Sequence, residues 1–125
     1  MLADFDLCLL IQHAPLRGQQ SKEALDIALV SATFDQATAL FFQGEGLLHL
    51  LPHQTPKLIG MKGVQAMLPA LALYGIEAIY CLEEDLARYQ LQADQLLLTP
   101  KVLDTTQAQE LLSRSRQVFI SPAFH

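Results

Sequence analysis

Leu7-Cys8-Leu9-Leu10-Ile11 is an unbroken apolar run close to the start of the chain. A strand with one wet face alternates apolar and polar residues. An unbroken run fits a strand covered on both faces, as in a parallel sheet. That constrains the whole fold, because parallel neighbours require long crossover connections, usually helices. Two further apolar runs read as strands: Ala37–Gln43, with Phe41 and Phe42, and Ile76–Cys81, with Ile76, Ala78, Ile79 and Tyr80.

The segments between these runs read as connections of that kind. Ser21–Thr33 places Ala24, Leu25, Ala28 and Leu29 on one helical face, with Ser21 as a start cap. Leu47–Leu51 reads as a short helix stopped by Pro52. Lys62–Tyr74 reads as helix, with Pro69 as its kink or true beginning and Gly75 as C-cap. Glu83–Tyr89 is a short polar helix or turn, and Thr105–Ser113 a helix. Thr55–Gly60 is compatible with an edge segment, Leu96–Leu98 with a short strand or loop, and Gln117–Ser121 with a last strand. Strands alternating with helices predict an α/β fold with a mostly parallel sheet and helices on both faces. Its chemistry belongs in the loops at the strand carboxyl ends: His13–Gly18, Gln43–Gly46 and the region after Tyr80.

With 125 residues, the chain is expected to be one domain, 1–125. Eight Lys+Arg against thirteen Asp+Glu leave a net charge of −5, which argues against direct nucleic-acid binding. Hydrophobic residues make up 51% and charged residues only 17%, which excludes disorder and points to an oligomer. No stretch approaches the roughly 18 apolar residues of a membrane span. Asp4 and Asp6 stand where a secretory leader would carry basic residues, so a cytoplasmic location is expected. Two cysteines, with no C-x-x-C, exclude a disulfide scaffold and a zinc ribbon.

Several residues are candidates for chemistry. Cys81 ends the third run just before Leu82-Glu83-Glu84-Asp85. A helix starting there favours a thiolate, whereas the three carboxylates oppose one. Cys8, inside the first run, reads as a small core hydrophobe. Glu45, His49 and His53 are four apart, but Pro52 interrupts the helix a metal site would need, and no further ligand joins them. Gly44-Glu45-Gly46 lacks the partners of a phosphate loop and reads as a tight strand-to-helix turn. His13 and Arg17 share the first loop, where an anion or carboxylate could bind. Leu47–Leu51 and Met67–Leu73 serve equally well as core or as subunit contact. No cofactor signature is present.

Four stretches resemble the DsrE/DsrF/DsrH-like proteins, and within them the TusC/DsrF branch. They are Ala14-Pro15 with Ser21–Leu29, then Ala39–Pro52, then Gln54-Thr55-Pro56, then Leu73–Glu77. The resemblance runs from the first strand to about Leu91 and thins beyond it. It implies a flavodoxin-like three-layer fold in a heterohexamer with TusB/DsrH-like and TusD/DsrE-like subunits. Such a complex passes persulfide sulfur from a sulfur-carrier protein toward tRNA 2-thiouridine or into sulfur oxidation. The resemblance places the sulfur-carrying cysteine on the TusD/DsrE-type subunit and gives this type a mainly architectural role. Contacts are then expected at Leu47, Leu48, Leu50, Leu51, Met67 and Leu71. The alternatives are a persulfide carried by Cys81 itself, or a small-molecule-binding module.

Overall fold

The chain is described by a computed structural model at residues 4–12, 20–52 and 68–120, without the side chains of 20–24. Its strands are β1 (Phe5–Ile11), β2 (Thr38–Phe42), β3 (Ala78–Leu82), β4 (Lys101–Leu103) and β5 (Ser115–Ile120). Its α-helices are α1 (Gln20–Thr33), α2 (residues 68–73), α3 (Glu83–Arg88) and α4 (Thr105–Ser113). Gly44–Leu50 and Ala93–Gln95 are 3-10 helices.

All strand pairs are parallel, in the order β4-β3-β2-β1-β5. Each of the first three crossovers moves one strand further in the same direction, and the fourth returns across the sheet to the far side of β1. Crossovers share one hand, so reversing direction moves the connection to the other face. The side chains follow that rule. On one face Leu7, Leu9, Ile11, Leu40, Phe42, Ile79 and Cys81 pack with Leu25 and Ala28 of α1, Leu47 and Leu50 of the 3-10 helix, Leu71 of α2 and Leu86 of α3. On the other, Cys8, Leu10, Ala39, Phe41 and Tyr80 pack with Ala108 and Leu111 of α4. The expected parallel sheet with helices on both faces is therefore present, and α4 is the only α-helix of the described residues on its side. The strand order differs from the 2-1-3-4-5 of flavodoxin itself.

Local chemistry sets the element ends. Asp104 caps α4: its side chain accepts from the Gln107 amide at 2.8 Å, and Gln107 Oε1 accepts from the Asp104 amide at 3.0 Å. Gly75, at φ +80°, ends α2 in a Schellman turn, with Ile76 N donating to Leu71 O at 2.9 Å and Gly75 N to Ala72 O at 3.0 Å. Helix α1 begins at Gln20, which puts Ser21 inside the helix rather than at its cap. Leu96–Leu98 is no strand. Leu96 is buried in the larger core, Leu98 and Thr99 take left-handed backbone, and the strand follows Pro100. The segments Thr55–Gly60 and Ser121–His125, and the part of Lys62–Tyr74 before residue 68, lie outside the described residues.

Candidate functional site

The carboxyl edge of the sheet carries the candidate site. Helices α3 and α4 leave β3 and β4 for opposite faces, so the reversal of the sheet's winding falls at the carboxyl ends of these two strands, where open α/β sheets place their sites. Cys81 stands at that point, paired in register with Phe42 on one side and Val102 on the other. The strand runs one residue past it, to Leu82, and α3 begins at Glu83. The pleat turns the thiol into the larger core, where Cys81 has 0% exposure.

Burial pushes the Cys81 thiol up to about 11, and the nearby Asp85 carboxylate adds to the rise. The residue therefore holds its proton at neutral pH. Cys8 is equally buried but on the opposite face of the sheet. Burial raises its thiol to about 11 as well, against a lowering hydrogen bond from Ser115. Both cysteines are free, and the sheet between them prevents an internal disulfide.

Polar groups around Cys81 fasten three strand ends to one another. The Gln43 amide donates to Ile11 O at 2.9 Å, and Gln12 Nε2 donates to Gln43 Oε1 at 2.8 Å. The Gly44 amide donates to Asp85 Oδ2 at 2.8 Å. Asp85 is buried in the first turn of α3, and Arg88 Nη1 lies 3.8 Å from its other oxygen. The sequence shows Asp85 only as one of three acids following Cys81. Nothing in its spacing reveals that it reaches a residue 41 positions earlier.

Gly44-Glu45-Gly46 is the expected strand-to-helix turn, and each glycine has its own reason. Gly44 sits at φ +52°, where side chains are disfavoured, and Gly46 lies against the Ile11 carbonyl. Glu45 and His49 do not share a face. The segment is a 3-10 helix, in which residues four apart are about a third of a turn out of line. Glu45 is exposed and His49 buried, while His53 lies outside the described residues. Among the described residues no three His, Cys, Asp or Glu side chains gather in a way that could hold a metal ion. His13 and Arg17 also lie outside the description.

The residues expected at subunit contacts divide. Leu47, Leu50 and Leu71 are at 0% exposure in the larger core and offer no surface to a partner, because their side chains seal the sheet face that the crossovers cover. Leu48 and Leu51 are half-buried, and Met67 lies outside the described residues. The large apolar side chains that do reach solvent include Phe34 after α1 and Leu73 and Tyr74 at the end of α2. No helix of the described residues is long and apolar enough to cross a membrane.

Comparison with known proteins gives a consistent result. Residues 6–120 match the model of the DsrE/DsrF-like family. A protein TusC homolog of Pseudomonas aeruginosa is 34% identical over 112 residues, covering 90% of this chain and 94% of that protein. One from Vibrio vulnificus is 30% identical over 112 residues, covering 90% of this chain and 95% of its own length. The crystal structure of the ychN protein from E. coli superposes with a TM-score of 0.78 at 13% identity, covering 93% of this chain and 98% of that one, which is a likeness of fold.

Proposed function

The chain belongs to the DsrE/DsrF-like family, and from that premise we propose that it is a mainly architectural subunit of a cytoplasmic sulfur-relay complex. Its partners in this reading are TusB/DsrH-like and TusD/DsrE-like subunits, and the complex takes persulfide sulfur from a sulfur-carrier protein. The sulfur goes toward tRNA 2-thiouridine, with sulfur oxidation as the other destination.

The observation that carries this reading is the state of Cys81. A relay cysteine must present a thiolate to an incoming persulfide. Cys81 stands where the fold would put such a group, but it is fully buried and its thiol is raised to about 11. A chain of this family without an accessible thiolate at that position contributes structure, and the transferable sulfur sits on another subunit. The similarity to proteins named TusC homologs supports the same assignment. Half-buried Leu48 and Leu51, with exposed Leu73 and Tyr74, supply the apolar surface for subunit contacts.

Native mass spectrometry of the tagged protein, purified gently from its own host, tests the reading. The expected result is an assembly of different small subunits in equal copies. Intact masses after exposure to a persulfide donor should show added sulfur on a partner and none on this chain. A monomer or homo-oligomer refutes the architectural role, and sulfur added at Cys81 transfers the carrier role to this chain.

A further inference from the structure

Among the described residues, β4 and β5 are the two edges of the sheet. A bare edge presents unpaired N–H and C=O groups, and folds blunt it with short strands, Lys or Pro. Strand β4 has all three protections: it is three residues long, it begins with Lys101, and Pro100 stands just before it. Strand β5 has none. It runs for six residues, Ser115–Ile120, with neither Lys nor Pro. Alternate residues direct their main-chain groups toward β1, and the others direct theirs outward.

Apolar surface flanks this edge on both faces. Val118 pairs with Cys8 and Ile120 with Leu10, so both lie on the α4 face, where they are 41% and 52% exposed. Gln117 and Phe119 pair with Leu7 and Leu9 on the α1 face. There they line an open groove of about 490 Å³ together with Ile27 and Ser31 of α1. The groove exists because α1 crosses from β1 to β2, away from β5. Arg116 is the single charge of β5, with its side chain 79% exposed and 3.8 Å from Asp6 Oδ1.

Outward main-chain groups select an extended strand as the occupant, because only a strand repeats donors and acceptors at their spacing. We propose that a strand of a partner subunit adds to β5, apolar on both faces and with a carboxylate opposite Arg116. One set of its side chains enters the groove beside α1, and the alternate set covers Val118 and Ile120. A second copy of β5 does not fit this description, since β5 carries no carboxylate to set against Arg116. The inference rests on the relay-complex reading and deepens it, by assigning a subunit contact that continues the sheet.

The test compares the parent with a variant carrying Val118→Lys and Ile120→Lys, both tagged and purified gently from the protein's own host. Native mass spectrometry should show a partner subunit in the parent assembly that the variant loses. Thermal melting of the two chains by themselves should stay equal. Hydrogen exchange separates an added strand from a looser apolar contact. The outward amides of Ser115–Ile120 should exchange at least about tenfold more slowly in the parent assembly than in the chain alone. An assembly that keeps every subunit despite the lysines, or unchanged exchange in β5, overturns the added strand and leaves the relay reading intact. Loss of a second copy of this chain, with the other subunits retained, overturns it in favour of self-pairing. A parent that purifies without partner subunits overturns the relay reading and this inference together. Should the lysines lower the melting temperature, exchange of β5 in the parent decides alone.

Discussion

Gly46 packs directly against the main-chain carbonyl of Ile11, so closely that a β-carbon at residue 46 would fall on that oxygen and its carbon. The contact seats the first turn of the 3-10 helix on the exit of β1, and the Gln43 amide fixes the same carbonyl from the adjacent position. The obstacle is backbone in a central strand, which cannot move aside as a side chain can.

Gly46→Ala is therefore expected to destabilise the fold by about 3 kcal/mol, the upper end of overpacking costs. Gly44→Ala serves as the contrast. Its β-carbon would meet nothing within 4 Å, so only the positive φ resists it, at about 1 kcal/mol. Urea unfolding of both variants measures the difference. Equal losses would show that the approach of Gly46 to Ile11 does not constrain the native state.

Leu50 and Leu71 decide between core and contact surface. Both are fully buried, so Leu50→Ala or Leu71→Ala should cost about 2–5 kcal/mol in the isolated chain, and an aspartate at either position should prevent folding. Circular dichroism with thermal melting checks this. A stable, folded Leu50→Asp protein that merely loses a partner would place Leu50 on a contact surface instead.

The two thiols give the chain an alkaline weakness. Both hold their protons more tightly folded than unfolded, with values moved from an ordinary 9.0 to about 11. Their contribution to stability is complete below about pH 9 and is lost as pH rises toward about 11, because only the unfolded chain releases those protons in that window. Burial raises Tyr80 as well, so it adds to the same decline. Urea midpoints across this window should fall more steeply for the parent than for a variant with Cys8→Ala and Cys81→Ala. Parallel curves would show that the thiols ionise without cost in the native state.

Legibility in the sequence differed sharply between the centre and the edges of the sheet. The strands β1, β2 and β3 announce themselves as apolar runs, and Thr105–Ser113 reads as the helix that α4 is. Strand β4 has three residues, two of them exposed, at the rim of the sheet. Such a strand carries little apolar signal, whereas the neighbouring Leu96–Leu98 is the stronger apolar run. That run is used instead to fill the core beneath the 3-10 helix, with the Leu97 amide bonded to Leu50 O.

The candidate site divides in the same way. The sequence by itself determined the alternation of buried strands and helices, the turn at Gly44-Glu45-Gly46, and the position of Cys81 near a strand end, since each rests on local periodicity or local backbone demands. Only the tertiary structure decided that Cys81 faces the larger core, that Leu47, Leu50 and Leu71 seal a sheet face, and that Asp85 reaches Gly44. Those facts depend on which face each crossover takes and on contacts between residues far apart in the chain, and no local pattern encodes either.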